Sequence, residues 1–173
     1  IPAAVGAAIM SERFGWGLAT TPQGALNDRV IPLPRGKLIG GSGSINGMAY
    51  YRGTRRDFDD WAARGNSGWS YDELLPYFKR SERNEHYRDS PYHGNEGPMA
   101  VNFIARPNPL CDDFNRAMAA LGFPHCSDFN VPEPEGYGFR QGTIAEGRRV
   151  STASAYLRPV MNRTNLSVLT NTL

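Results

Sequence analysis

The stretch Gly36-Lys37-Leu38-Ile39-Gly40-Gly41-Ser42-Gly43-Ser44-Ile45-Asn46-Gly47 constrains this chain more than any other. Glycine this dense weakens a helix or strand interior, because each one surrenders the most backbone freedom on ordering. What it permits is a backbone in torsions closed to other residues, lying close to a ligand. Successive N–H groups in such a turn form a nest that suits phosphate oxygens. Two familiar phosphate loops are excluded by spacing. No glycine stands five residues before Gly36-Lys37, so the segment is not a P-loop. Gly41-x-Gly43 is followed by Asn46 where a dinucleotide fingerprint needs glycine. A cofactor-binding loop and a flexible linker are both open on glycine content alone. Leu38, Ile39, Ile45 and Met48 favour an ordered, buried loop, since a solvated linker would not carry them.

Around this segment the chain reads as short helices separated by connectors, in keeping with 19 glycines and 13 prolines among 173 residues. The residues up to about Asn27 show no clean period and read as irregular. Arg29 to Pro34 reads as extended, because each proline pushes its predecessor out of the helical region. Thr54 caps a helix through Asp57, Phe58 and Trp61 that stops at Gly65. Ser70 and Glu73 form a capping box, Trp69 staples to Leu74, and Pro76 is expected to kink or end that helix early. Asn108 caps a third helix with Pro109 at its first position. Its face Leu110, Phe114, Ala117, Met118 and Leu121 is expected to be buried, and Gly122 ends it. Ser151 opens a fourth, with Ala155, Tyr156 and Val160 inward. Connectors run from Asp89 to Pro98 and from Asn130 to Gly138, and short strands fit Met99 to Val101 and Leu166 to Thr170.

A formal net charge of +2 gives no strong electrostatic drive, so no nucleic-acid partner is expected. No apolar run approaches a membrane span. Cys111 and Cys126 alone make neither a disulfide framework nor a zinc site. The start, Ile1-Pro2-Ala3-Ala4, has no initiator Met, and the end lies in the apolar run Leu166 to Leu169. The chain is therefore expected to be an internal piece of a longer protein.

Taken as one string, Arg35 to Met48 with Arg52-Gly53, Asp57-Phe58-Asp59 and Trp61 resembles the first signature of the glucose–methanol–choline (GMC) flavin oxidoreductases. The resemblance extends through Gly68-Trp69-Ser70-Tyr71, Leu75-Pro76-Tyr77-Phe78, His93-Gly94, Gly97-Pro98, Asn108-Pro109-Leu110, Arg148-Arg149 to Leu157, and Asn165 to Val168. Bacterial choline and alcohol dehydrogenase-like members look most similar. The resemblance implies a mixed α/β fold, part of an FAD-binding domain with a segment of the substrate domain. The dinucleotide fingerprint would precede residue 1, and the catalytic His would lie beyond residue 173. Gly40, Gly41 and Ser42 would lie against the FAD pyrophosphate and ribityl chain. Asn46, Gly47, Met48 and Ala49 would pass beside the flavin ring, and Trp16 and Leu38 would line the cleft. Some members hold FAD through a His just before the Asn of this motif. Ile45 stands there, so non-covalent FAD is implied. The implied reaction is oxidation of a CH–OH group of a small alcohol, with oxygen or another electron acceptor closing the cycle. The alternative is a non-catalytic remnant that no longer binds flavin.

Other chemistry-bearing residues have simpler readings. His86, His93 and His125 show no metal or catalytic spacing, and His93 before Gly94 fits a turn. Cys111 reads as a small core or boundary residue. His125-Cys126 is a weak candidate for a reactive thiol. Arg52, Arg55 and Arg56 are followed by Asp57, Asp59 and Asp60, which points to local neutralisation. Asp112 and Asp113 suit the dipole of the third helix. Trp61, Trp69, Tyr71, Tyr77 and Phe78 read as a core around Leu74 and Leu75.

Overall fold

The computed structural model describes residues 4–172. The backbone divides into two units, Ile1–Met48 with Gly147–Leu173, and Ala49–Glu146. Short helices and short strands are mixed in it, as the α/β expectation requires.

In the first unit, α1 (Val5–Ile9) leads into two antiparallel arms. Isolated bridges join Gly15 to Gly36, Ala19 to Pro32 and Gln23 to Arg29. The Trp16 N–H donates to Arg35 O at 3.0 Å, and the Leu33 N–H donates to Leu18 O at 2.8 Å. The arms turn through Gly24–Leu26 and through Asn27 and Asp28, both at φ 55°. The first arm is thus paired, where the sequence reads as irregular. Pro22, Pro32 and Pro34 contribute no N–H, so the ladder is intermittent and leaves no period-two signal.

The end of this unit departs from expectation twice. Ser151 does open a helical segment, with its N–H on Ser154 Oγ at 2.8 Å. The turn over Ala153–Leu157 is widened to a π-helix, then tightened at Arg158–Val160. Ala155 is buried, but Tyr156 is 43% exposed, because the altered winding moves it off the inward stripe. Leu166 to Thr170 forms no strand pairing among the described residues, and Leu169 is exposed.

In the second unit, α2 (Arg55–Ala63) starts at Thr54, which shares a capping box with Asp57. In α3 (Tyr71–Ser81), Ser70 and Glu73 form the expected box, and the helix runs through Pro76 to Ser81. Proline there deletes one intrahelical hydrogen bond near the start. The box, the Asp59 carboxylate accepting the Tyr71 N–H at 3.0 Å, and ring packing hold the rest. The Phe58 ring lies 5.5 Å from Trp61, 6.4 Å from Tyr71 and 5.4 Å from Phe78. Trp69 meets Trp61 at 5.7 Å. Tyr71 is fully buried, whereas Tyr77 is exposed under Arg80. Of the aromatic set expected as a core, only Tyr71 is fully buried and Phe78 half-buried; Trp61, Trp69 and Tyr77 are exposed and pack against one another or against Arg80 at the surface.

β1 (Glu82–Asn84) runs parallel to β2 (Met99–Phe103), with Glu82 opposite Met99. β3 (Gln141–Gly142) is antiparallel to β2, with Phe103 opposite Gln141. Asn108 Oδ1 accepts the Leu110 N–H at 3.0 Å and starts α4 (Leu110–Ala120). The apolar face of α4 is not buried: Leu110, Phe114 and Leu121 are all exposed. Leu110 and Phe114 form one wall of a groove of about 870 Å³ with Phe103, Ile104 and Phe139. Cys111, on the same helix, is exposed and not a core residue.

The centre of this unit is ionic. Glu82 is fully buried and pairs with Arg52. Its Oε1 meets His93 Nδ1 at 2.8 Å, and its Oε2 accepts the Gly94 N–H at 3.0 Å. His93 Nε2 meets Asp128 Oδ2 at 2.8 Å. Burial pushes the carboxyl of Glu82 up, but His93, Arg52, Asn84 and the Gly94 amide outweigh it and hold it low. Burial likewise pushes Asp128 up, and His93 and the Asn130 amide overcome it. His93 is lowered by burial and raised more strongly by hydrogen bonds to Asp128 and Glu82. Each ring nitrogen faces a carboxylate oxygen, so the protonated imidazolium donates from both and is the form the pair of carboxylates favours. The His93 contribution is fully present below its unfolded value of 6.5 and is lost as pH rises through the raised folded value. The Glu82 contribution is present above 4.5 and is lost as pH falls through the lowered one. The cluster thus stabilises most between these two values. His93→Gln, which strands two buried carboxylates, is expected to cost about 3 kcal/mol there. Thermal melts from pH 4 to pH 9 check this: the gap to wild type narrows on the alkaline side, and a pH-independent gap refutes it.

Candidate functional site

The loop after the paired arms is built in two layers, one satisfied internally and one open. Gly40 and Gly41 are consecutive left-handed residues, at φ 89° and 54°. They turn the chain into a single tight 3₁₀ turn over Gly41–Ser44. The Gly41 N–H donates to Leu38 O at 2.8 Å and the Asn46 N–H to Ser42 O at 2.9 Å. Ser42 Oγ accepts the Gly36 N–H at 3.1 Å, and Ser44 Oγ donates to Ile39 O at 2.9 Å. The serines thus stitch the loop to its own entry. A Cβ at Gly36 would sit 2.4 Å from the Gly41 carbonyl oxygen, so only glycine fits that crossing.

Ile45 and Met48, 3% and 5% exposed, anchor the second half. Between them Asn46 and Gly47 are exposed, as is Ser42. Gly47 has no left-handed torsion, and a Cβ built on it meets nothing within 4 Å. Among the described residues neither backbone torsion nor packing calls for glycine at that position. Met48 is at φ 57°, an uncommon torsion for a side-chain-bearing residue, and its N–H donates to Asn46 Oδ1 at 3.0 Å. Arg149 reaches the same oxygen with Nη1 at 2.6 Å and the Gly43 carbonyl at 3.2 Å. Thr152 Oγ1 donates to Gly40 O at 3.2 Å.

Of the residues singled out in the sequence, Trp16, Leu38, Gly40, Gly41, Ser42, Asn46, Gly47 and Met48 lie together in the first unit. Trp16 Nε1 donates to Gly36 O at 3.1 Å, and Lys37 Nζ stands 5.0 Å over its ring. Trp16 and Leu38 are both partly exposed beside the loop. Met48 is buried, so it offers a ligand a fixed backbone and little surface. Ala49 begins the second unit, where it bridges Gly142. Arg149 and Thr152 are not among the sequence-derived site residues. They lie more than a hundred positions from their partners, and the adjacent Arg148-Arg149 pair was their only signal. Cys126 is buried with its thiol on Asp128 O at 3.1 Å, which fits a structural residue. Among the described residues no His, Cys, Asp and Glu group could hold a metal ion, and no helix is long and apolar enough to cross a membrane.

Residues 6–173 match the GMC oxidoreductase family model. The chain belongs to the GMC oxidoreductases. It is 43% identical over 169 residues to the oxygen-dependent choline dehydrogenase of Rhizobium johnstonii, covering 98% of this chain and 31% of that protein. The crystal structure of pyridoxine 4-oxidase from Mesorbium loti superposes with a TM-score of 0.90 at 36% identity, covering 98% of this chain and 33% of that one. An FAD-dependent oxidoreductase from Chaetomium thermophilum gives 0.81 at 29% identity, over 90% and 29% of the two chains. The chain thus spans about a third of the length of the relatives it matches. The resemblance to the GMC flavin oxidoreductases, first carried by the Arg35 to Met48 string, therefore holds along nearly all of the chain.

The two glycines give opposite expectations for the fold of the loop. Gly36→Ala forces a methyl into main chain and is expected to lower stability by about 1–3 kcal/mol. Gly47→Ala enters open space and is expected to leave the melting temperature unchanged. Parallel melts of the two variants check this, and equal losses would refute it.

Proposed function

We propose that this chain is the flavin-cradling part of an FAD-dependent oxidoreductase acting on the CH–OH group of a small alcohol. The observation that carries the reading is Gly47. It is exposed between two buried anchors, and nothing in its own chain requires the missing side chain. A group outside this chain that approaches the backbone closely supplies the reason. FAD fits this description, with Gly40, Gly41 and Ser42 on its pyrophosphate and ribityl side, and Asn46 to Ala49 beside the ring. Trp16 and Leu38 contribute exposed apolar surface at the edge of the loop. Family membership and a structural relative named for FAD support the same assignment.

Bound there, FAD supplies a two-electron oxidant that accepts hydride from the carbinol carbon. The chain's own part is to bind and hold the cofactor. The loop meets it with backbone N–H groups and an amide, which stabilise negative charge without offering a readily transferred proton. No residue of the chain is assigned as general base. His93 is fixed as a double donor between Glu82 and Asp128, which leaves it no lone pair to accept a proton. Ile45 supplies no nucleophile at the position before Asn46, so the flavin is held without a covalent bond. Relatives that cover this stretch are named for choline and for pyridoxine, which suits a segment that recognises the cofactor and leaves alcohol choice to other residues. The electron acceptor is oxygen or another oxidant.

The test uses the full-length protein. It is expected to purify yellow and to release its flavin into the supernatant on acid precipitation. Gly47→Val is expected to fold with most of its FAD lost. A Gly47→Val protein with wild-type flavin content overturns the loop assignment. Colour retained in the acid pellet on a peptide containing Ile45 overturns the non-covalent one.

A further inference from the structure

Arg149 carries a charge that nothing in its surroundings balances. Among the described residues no carboxylate pairs with it, and the only influence on its ionisation is burial, which lowers it. Its Nη1 is used twice, on Asn46 Oδ1 and on the Gly43 carbonyl. Its Nε and Nη2 donate to no residue among those described. Two donors on Asn46 Oδ1, from Arg149 and from the Met48 N–H, fix which way the amide is turned. The amide Nδ2 is then directed away from both, exposed and without a protein acceptor. A guanidinium with spare donors and an amide with a spare donor therefore sit on the loop beside Gly47.

We propose that Arg149 is a positioning residue for the flavin loop, setting the Asn46 amide so that Nδ2 donates to an acceptor atom of bound FAD. This rests on the assignment of the loop to FAD. The chemistry recognised is an electron-rich carbonyl or ring-nitrogen edge, favoured further by the unbalanced positive charge nearby. Both contacts run through the single nitrogen Nη1, so what lysine would lose is the planar guanidinium with its further donors Nε and Nη2.

The experiment uses the full-length protein stripped of FAD and reconstituted, with Arg149→Met, Arg149→Lys, Asn46→Asp, Asn46→Ala and the Arg149→Met/Asn46→Ala pair. Readouts are FAD dissociation constant, visible circular dichroism of the bound flavin, and melting temperature of the apoprotein. Arg149→Met is expected to weaken FAD by about tenfold or more, the scale of a lost charge-assisted hydrogen bond. The dichroism of the flavin should change with it. Asn46→Asp keeps a carboxyl oxygen for Arg149 and removes the donor. It is expected to keep the apoprotein melt while still weakening FAD and changing the dichroism. The paired variant is expected to be no worse than the more severe single one, because both act through the same amide. Wild-type affinity and dichroism in Arg149→Met overturn the inference, as do additive losses in the pair. If Arg149→Met fails to fold, Asn46→Asp decides: wild-type FAD affinity and dichroism in it overturn the inference. Gly47→Val, measured alongside, separates the two levels. If it keeps FAD, the loop assignment has failed; if it loses FAD while Arg149→Met does not, only the role of Arg149 has.

Discussion

A carboxylate sealed from water, that of Glu82, sets the arrangement of the second unit. A buried charge is costly unless every lone pair is met, and both its oxygens are. Its partners come from separated places: Arg52 just after the loop, Asn84 on β1, His93 and Gly94 in the connector before β2. Through His93 the network reaches Asp128. Arg52 also has its backbone N–H on Asn130 Oδ1 at 2.8 Å, and Asn84 and Gln141 exchange amide bonds at 2.9 and 3.1 Å. Moving any of these segments strands a charge or an amide. The connectors in this unit are thereby held as firmly as the strands, although their composition is that of loops.

Where the fold was legible, the controlling interactions were short in sequence. The boxes at Thr54 with Asp57 and at Ser70 with Glu73 each span three residues, and the starts of α2 and α3 are as the spacing predicts. At α4 the interaction is also local, Asn108 Oδ1 accepting the Leu110 N–H, with Pro109 between them at the helix start. The expectation that Pro76 ends the helix early fails because a propensity rule counts the lost hydrogen bond and not the contacts around Phe58. The ionic centre was invisible for a different reason. Arg52 and Glu82 are 30 positions apart and His93 and Asp128 are 35, and none has a spacing that marks it as a partner of the other. His93 reads as a turn residue because its partners cannot be seen from its neighbours. The apolar stripe of α4 is present but exposed, because a stripe says that a face seeks cover and not where the cover lies.

The candidate site divides along the same line. Its glycines, serines and Asn46 are contiguous and could be singled out from the sequence, because a loop that approaches a ligand with its backbone concentrates the necessary residues. Its supports are not contiguous. Arg149 and Thr152 fasten the carbonyls of Gly43 and Gly40 from the far end of the chain. Ring and backbone contacts at Trp16 come from the opposite side of the sequence. Nothing local distinguishes Arg149 from Arg148, and only the three-dimensional arrangement shows which of the two is spent on the loop.

Met48 shows how the two requirements on the loop are reconciled. A left-handed torsion at a residue with a side chain costs about 1–2 kcal/mol, and glycine would remove that cost. Glycine would also remove an anchor whose burial contributes about 1.5–3 kcal/mol. Burial of the anchor is of the same size as the strain and offsets it, and the hydrogen bond from the Met48 N–H to Asn46 Oδ1 adds to the same side. The strain falls one residue after Gly47, where the backbone is most open. A side chain is thus kept at the buried, tethered position and absent at the exposed neighbouring one. The Asn46 amide, shared between Met48 and Arg149, links tether and open face, so the stiffness of the buried half is passed to the donors on the exposed half.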